Sequence, residues 1–214
     1  MKIKLLFIFL IVALCGGHSF AGYIFYDNFD SENGGYGQTN YSGFTGWSVS
    51  DGTVDLLGWN GPGYGTAVYD YMPGNGLYVD MDGSSGNAGI LSKTLSLSAG
   101  SYVLSFDLAG NNIDNAPYNY DPFKYGDGND SVIVTTGSIV NTYTKYYDEG
   151  FTEIVQPFTV DTDGIYTISF EGVGGDNVGL LLDNVGLSLV PVPATILLGL
   201  LGLGVGGWKL RKSI

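Results

Sequence analysis

Three short acidic motifs hold the residues of this chain whose types and spacing best suit metal binding. Residues 27–30 read Asp-Asn-Phe-Asp, residues 182–185 read Leu-Asp-Asn-Val, and residues 80–83 read Asp-Met-Asp-Gly. Calcium takes about six to eight oxygen ligands from carboxylates, amides and carbonyls, and segments rich in Asp, Asn and Gly supply them. Two interpretations follow, a calcium site or Asp side chains that cap turns without any metal.

Aromatic residues are concentrated in two long loops, 58–75 and 110–129. Flat aromatic faces suit sugar rings, and neighbouring Asp and Asn side chains can bind hydroxyl groups. Long loops without regular structure are uncommon and are often functional. We therefore predict that the loop aromatics bind a ligand, with packing beneath the loops as the alternative. The predicted ligand-binding residues are Trp59, Tyr64, Tyr118, Tyr120, Phe123 and Tyr125.

The sequence offers little for catalysis. The one histidine, His18, and the one cysteine, Cys15, lie in an N-terminal segment that we predict to be removed. Ser-His-Asp and Cys-His mechanisms and Cys/His zinc sites are therefore excluded from the remaining chain. Glycoside hydrolysis needs only two carboxylates, but with 21 acidic residues some close pair is inevitable and carries no information. We predict that the protein is not an enzyme, with a carboxylate-based glycosidase as an alternative.

The elements that must position these residues are strands. Apolar and polar residues alternate with period two in 101–108 and 164–171, and Gly-rich turns such as Asp51-Gly52 and Asp163-Gly164 separate the segments. No internal stretch has a helical period. The pattern predicts an all-β, jelly-roll β-sandwich over residues 22–189. The other predicted strands are 23–29, 46–50, 53–57, 76–80, 89–97, 130–136, 153–160 and 178–189.

The N-terminal segment has the pattern of a secretory signal peptide. Lys2 and Lys4 precede an unbroken apolar run, and Ser19-Phe20-Ala21 places small residues where signal peptidase requires them. We predict a signal helix over residues 1–21, with cleavage after Ala21.

The C-terminal segment has the pattern of a membrane anchor. Residues 190–208 are largely apolar, and a helix of that length spans about 28 Å. The basic residues Lys209, Arg211 and Lys212 follow, and such a cluster stays on the cytoplasmic side. We therefore predict a transmembrane helix in residues 190–214.

This tail resembles the PEP-CTERM sorting signal, and more narrowly the variant whose motif reads Val-Pro-Leu-Pro-Ala. The motif here is Val190, Pro191, Val192, Pro193 and Ala194, in which Val192 stands where the commonest motif has glutamate. The resemblance implies processing by an exosortase in a Gram-negative bacterium that makes exopolysaccharide. It also implies transient anchoring in the inner membrane, followed by release to the cell surface or extracellular matrix. Such tails also occur on some ice-binding proteins.

The domain between these ends resembles galactose-binding-like jelly-roll carbohydrate-binding modules. The resemblance rests on the motifs at 27–30 and 182–185, together with 46–47, 51–56, 78–83 and 102–106. It implies a structural calcium between the first and last strands, with Asp30 and Asp183 as the first candidate ligands. Asp27 and Asp82 complete the predicted metal set.

The net charge of the domain limits the classes of molecule that it can bind. The chain has a net charge of −13, but five of its eight basic residues lie outside 22–189 and all 21 acids lie inside, giving 3 − 21 = −18. Such a domain does not bind nucleic acid and is repelled by anionic surfaces. We predict a noncatalytic exported protein that binds polysaccharide, favouring neutral glycans or bridging through calcium. The alternatives are a calcium-dependent structural or adhesive protein without sugar binding, and an ice-binding protein, although the sequence has no flat Thr-rich repeat.

Overall fold

The computed structural model describes residues 22–59, 70–111 and 129–191, and these residues form two antiparallel β-sheets. A 3₁₀ turn at Glu32–Gly35 follows the first strand. The strands are β1 (Tyr23–Asp27), β2 (Tyr36–Gln38), β3 (Ser48–Ser50), β4 (Asp55–Trp59), β5 (Leu77–Asp80), β6 (Ile90–Leu97), β7 (Gly100–Ala109), β8 (Asn129–Thr136), β9 (Ile139–Tyr146), β10 (Thr152–Val160), β11 (Gly164–Val173) and β12 (Leu181–Leu189).

The strands divide into two sheets, and the chain crosses between them repeatedly. Sheet A has the order β10-β7-β12-β5-β4-β2, with β1 also paired to β12. Sheet B has the order β3-β6-β11-β8-β9. Consecutive strands repeatedly cross from one sheet to the other, as in a jelly roll. The predicted all-β sandwich is therefore confirmed for the described residues.

The core lies between the two sheets and follows from the period-two pattern. In β7 every second residue is buried, from Tyr102 through Leu104 and Phe106 to Leu108, because successive side chains point to opposite faces. Phe170 of sheet B meets Phe106 of sheet A at 5.1 Å between ring centroids, with the rings nearly perpendicular. The sandwich is therefore closed by direct contacts between the inner faces of the two sheets.

The first and last strands pair with each other in antiparallel fashion. Asp27 of β1 lies opposite Val185 of β12, whereas Leu181 and Leu182 of β12 pair with β5. β7 contacts β12 through the Ser105 hydroxyl and the Gly186 carbonyl, so β7 occupies one edge of β12 and β1 and β5 share the other. The expectation that the two ends of the domain meet is correct.

Sheet A also carries a second, smaller apolar cluster on its outer face. Tyr78 of β5 lies fully buried in it, and its hydroxyl accepts hydrogen bonds from the backbone N–H groups of Tyr71 and Met72 at 2.6 and 2.9 Å. The same hydroxyl donates to the Asp70 carboxylate at 3.1 Å. These hydrogen bonds join residues 70–72 to the sheet. The buried members of the cluster are Leu57, Tyr71, Tyr78, Ala109, Val178 and Leu181.

The strand predictions are largely confirmed, with boundaries that differ by a few residues. Two strands, β2 and β9, were not predicted from the sequence. β2 is only three residues long and follows two glycines, and β9 lies at the edge of sheet B with no fully buried residue. A short strand and an exposed edge strand both lack the strong alternation that marks a half-buried strand.

The predicted signal helix and the predicted transmembrane helix lie almost entirely outside the described residues. Of the sorting motif, only Val190 and Pro191 are described, and both are exposed. Within the described ranges, no helix has the length and apolar character needed to cross a membrane.

Candidate functional site

The predicted ligand-binding aromatics lie outside the part of the chain whose side chains are described. Trp59 ends β4, but only its backbone belongs to the described structure. Segments 60–69 and 112–128 lie wholly outside the described residues, and they contain Tyr64, Tyr118, Tyr120, Phe123 and Tyr125. The loop prediction therefore stays a prediction.

The first polar site lies at the edge of β12 that β1 and β5 share. The pairings with β1 and β5 leave out Asp183 and Asn184. Asn184 adopts a left-handed conformation with φ of 51°, which Asn tolerates better than most residues. The gap between β1 and β5 therefore opens opposite these two residues of β12.

Asp30 reaches the same gap from the turn after β1. Its Oδ1 accepts a hydrogen bond from the N–H of Leu77, the first residue of β5, at 2.8 Å. A Cβ on Gly76 would come within 1.9 Å of this oxygen, and Gly76 has a φ of +78°, so only glycine fits there. Asp30 thus joins the turn after β1 to the start of β5.

Three of the four predicted calcium ligands are brought into this neighbourhood, and each already accepts hydrogen bonds from the protein. Asp27 accepts from the Phe29 N–H at 2.9 Å and from the Trp47 indole N–H at 2.8 Å. Asp183 accepts from the Asn184 N–H at 2.7 Å. In the described ranges, no three His, Cys, Asp or Glu side chains are arranged as a metal site. The calcium prediction for Asp27, Asp30 and Asp183 therefore stays untested, although their proximity fits it.

These carboxylates, with Asp107 of β7, form what we call the Asp183 cluster (Asp27, Asp30, Asp107 and Asp183). Burial raises the pKa of Asp183 to about 8, and the neighbouring charges of Asp30, Asp107 and Asp27 add to the effect. Asp183 therefore holds a proton at neutral pH when no cation is present. Asp107 was missed by the sequence analysis, because its proximity to β12 depends on the order of the strands.

An exposed aromatic surface borders this cluster on the outer face of sheet A. Tyr23 and Tyr26 of β1 are 56% and 51% exposed, and their ring centroids lie 5.2 Å apart. The Tyr26 hydroxyl donates to the side-chain oxygen of Asn184, whose amide group donates in turn to Asp107 at 2.8 Å. Tyr23 lies over Gly186, where a side chain would collide with its ring. We call Tyr23, Tyr26, Asn184 and Asp107 the tyrosine face.

The tyrosine face was not predicted from the sequence, because alternation along β1 does not reveal it. A register shift between Tyr23 and Phe25 in the β1–β12 pairing breaks the alternation. As a result Tyr23 and Tyr26 both lie on the outer face, whereas Phe25 packs against the core. Strict alternation would have placed the two tyrosines on opposite faces.

Asp82, the fourth predicted calcium ligand, lies in a different cluster. Its Oδ2 accepts hydrogen bonds from the N–H groups of Gly175 and Asp176 at 2.6 and 3.1 Å. Its own N–H donates to Asp80, which also accepts from the Asn111 amide at 2.7 Å. Burial raises the pKa of Asp80 well above its usual value, with Asp55, Asp82 and Asp130 adding to it. We call Asp55, Asp80, Asp82 and Asn111 the Asp82 cluster.

Comparisons with known proteins give structural likeness only. No protein-family model matches the chain, and no curated protein matches it. One similar solved structure is the CBM22-1 xylan-binding domain from Paenibacillus barcinonensis Xyn10C, at 10% identity and a TM-score of 0.45, covering 81% of this chain and 98% of that one.

Two other similar structures are likewise named as carbohydrate-binding modules. The C-terminal CBM6 of a Zobellia galactanivorans laminarinase matches at 13% identity and a TM-score of 0.40, covering 77% of this chain and 98% of that one. A family 35 carbohydrate-binding module from Clostridium thermocellum matches at 13% identity and a TM-score of 0.37, covering 66% and 90%. Identities and scores this low say nothing about what this chain binds.

Proposed function

We propose that this β-sandwich is a noncatalytic domain that binds extracellular polysaccharide, and that the tyrosine face is part of its binding surface. The observation that carries the proposal is the pair of exposed, adjacent tyrosine rings beside a carboxylate and an amide. Aromatic faces cover the apolar side of a sugar ring, and Asp and Asn side chains bind its hydroxyl groups. The face thus combines the two kinds of contact that a sugar requires.

The charge of the domain indicates which glycans it takes. Residues 22–189 carry 3 − 21 = −18 charges, so an anionic polysaccharide is repelled unless a cation intervenes. Neutral polysaccharides face no such repulsion. We therefore expect binding to neutral glycans without added metal, and binding to anionic ones only with calcium.

The test compares neutral polysaccharides with the purified protein and its variants by affinity electrophoresis and calorimetry. The Tyr23→Ala/Tyr26→Ala double variant is expected to bind about 10- to 100-fold more weakly, because truncating aromatic anchors costs about 1–3 kcal/mol. Tyr36→Ala is the matched control, since Tyr36 is an exposed tyrosine elsewhere in sheet A. Unchanged affinity in the double variant would remove the tyrosine face from the proposal.

The same experiment separates binding from hydrolysis. A buried Asp183 with a raised pKa lies near other carboxylates, an arrangement that glycosidases use for general acid catalysis. A noncatalytic domain leaves the polysaccharide intact, so chromatography of the recovered glycan is expected to show no shortened products. Shortened products that disappear in Asp183→Asn would instead establish a glycosidase.

We also propose that the chain is exported and sorted by an exosortase, on the basis of its two terminal patterns. In a host that has this enzyme, the mature protein is expected to begin at Gly22 and to lack the basic C-terminus, as measured by intact mass. Pro191→Ala/Pro193→Ala is expected to retain residues 209–214, whereas the control Ser213→Ala is processed normally. Equal processing of the two variants would contradict recognition of the motif.

A further inference from the structure

Two buried side-chain oxygens of the Asp82 cluster have no hydrogen-bond donor in the described part of the chain. They are Oδ1 of Asp82 and Oδ1 of Asn111. Asp82 is 0% exposed and Asn111 is 1% exposed. A buried polar atom without a partner is destabilising, and more so when it belongs to a charged group. Two such oxygens in one cluster indicate that a group other than the described residues satisfies them.

Hydrogen bonds among three separate segments of the chain hold these side chains in place. The segments are the end of β5, the segment after β7 and the backbone of 175–179. Asp80 and Asp82 come from the end of β5, and Asn111 follows the end of β7. Asp80 accepts from the N–H of Gly179 at 2.9 Å, and a Cβ on Gly179 would lie 2.7 Å from the same oxygen. The backbone around 175–176 holds the second oxygen of Asp82. The two unsatisfied oxygens therefore belong to side chains with little freedom to turn away.

No cationic side chain of the described residues neutralises this cluster. Asp55 lies directly opposite Asp80 in the β4–β5 pairing and is also buried. The only two lysines in the described ranges are bonded elsewhere, Lys93 to the Gly46 carbonyl and Lys145 to Glu149 and Thr152. Buried carboxylates without a positive partner either take up a proton or bind a cation.

We propose that Asp80, Asp82 and Asn111 form a binding site for a divalent cation, with calcium as the preferred ion. All the available ligand atoms are oxygens of carboxylates and an amide, the set that calcium prefers. The site needs the amide of Asn111, since carboxylates alone do not form a metal group in this region. The ion would join the end of β5 to the residues that lead into segment 112–128. The site shares no ligand with the Asp183 cluster, whose carboxylates come from segment 27–30, β7 and β12.

Asp82→Asn is the sharpest test, because it replaces the unsatisfied oxygen and preserves the hydrogen bonds of the other side-chain oxygen. The asparagine carbonyl can still accept from the N–H groups of Gly175 and Asp176, and its NH₂ group then occupies the position of Oδ1. A donor at that position repels a cation. Calcium chloride is titrated into the metal-free, full-length chain by calorimetry, and the melting temperature Tm is measured with and without it.

For the unaltered chain, Tm is expected to rise by about 5–10 °C at a calcium concentration about 100 times the Kd. In Asp82→Asn, calcium affinity falls by more than about 10-fold and this rise is lost. Asn111→Asp adds a negative ligand, so it binds calcium more tightly and melts at a lower temperature in chelator. Asp161→Asn, at an exposed residue of the turn between β10 and β11, serves as the control and retains the full calcium-dependent rise.

The proposal is overturned if the unaltered chain gains neither heat of binding nor melting temperature with calcium. It is also overturned if Asp82→Asn and Asn111→Asp both respond to calcium as the unaltered chain does. A chain stabilised only by acid, with no metal response, would show that a proton and not a cation occupies the cluster. Glycan binding, measured in parallel, tests the tyrosine face. Failure of the cation site and failure of glycan binding can therefore be told apart.

Discussion

Asp183→Asn is expected to make the protein more stable than the unaltered chain at pH 9 but not at pH 4. The folded chain keeps a proton on Asp183 up to a pKa of about 8, because burial and the carboxylates of Asp30, Asp107 and Asp27 disfavour its charged form. An unfolded chain releases that proton near its ordinary pKa of about 3.9. Asparagine has the same shape and carries no titrating group.

The sign of the effect follows from proton binding. Between about pH 4 and pH 8 the folded state binds more protons at Asp183 than the unfolded state does. The unfolding free energy therefore falls as the pH rises through this range. The stabilising contribution of the protonated form is complete below about pH 4 and is lost above about pH 8. At about 1.36 kcal/mol for each pKa unit, the full loss is at most about 6 kcal/mol.

Urea unfolding between pH 4 and pH 9, in the presence of a chelator, measures the difference between the two chains. Other groups face Asp183 as well, including the Tyr26 hydroxyl. Burial raises the pKa of Tyr26, and the charge of Asp183 raises it further. The difference between the unaltered chain and Asp183→Asn isolates the contribution of one residue. Glu171→Gln, on an exposed residue of β11, is the control and is expected to leave the profile unchanged. Parallel curves for Asp183→Asn and the unaltered chain would contradict the raised pKa.

Trp47→Ala is expected to lower the unfolding free energy by about 3–5 kcal/mol. Trp47 is 6% exposed and its ring meets Phe25 of β1 and Phe170 of β11 at centroid distances of 5.9 and 6.2 Å. The Lys93 ammonium lies 4.9 Å from the same ring. Because the indole joins strands of both sheets, its removal leaves a cavity at their junction. A loss of this size is a large part of the stability of an ordinary domain.

Trp47→Phe separates packing from hydrogen bonding. Phenylalanine retains most of the ring contacts but loses the indole N–H that donates to Asp27 at 2.8 Å. We expect a smaller loss, about 1–2 kcal/mol, from the lost hydrogen bond and the reduced volume. Far-UV circular dichroism during urea unfolding is the appropriate measurement, since the substitution alters tryptophan fluorescence. A loss under about 1 kcal/mol in Trp47→Ala would show that the ring is not needed to hold the sheets together.

The sequence predicted the sandwich because alternation is a local property. Tyr102, Leu104 and Phe106 stand at every second position, and that spacing alone places them on one face of a strand. The same reasoning failed at β1, where the register shift places Tyr23 and Tyr26 on the same face. It also failed at β9, an edge strand in which no residue is fully buried.

The candidate site shows the same division between local and long-range information. The motifs at 27–30 and 182–185 were paired through the resemblance to jelly-roll modules, and Asp30 and Asp183 do lie together. Asp82 was grouped with them by residue type alone, and the structure places it with Asp80 and Asn111. Asp107 joins Asp183 only because β7 lies beside β12.

By itself, the sequence determined the strand pattern, the acidic charge of the domain and the absence of His and Cys from residues 22–189. Each of these depends on residue types or on spacing within a few positions. Only the tertiary structure decided which acids share a cluster, which tyrosines share a face and which buried oxygens find no donor among the described residues. Those relations join residues far apart in the chain, such as Asp80 with Asn111 and Tyr26 with Asn184. They depend on strand order and register, which alternation along one strand does not encode.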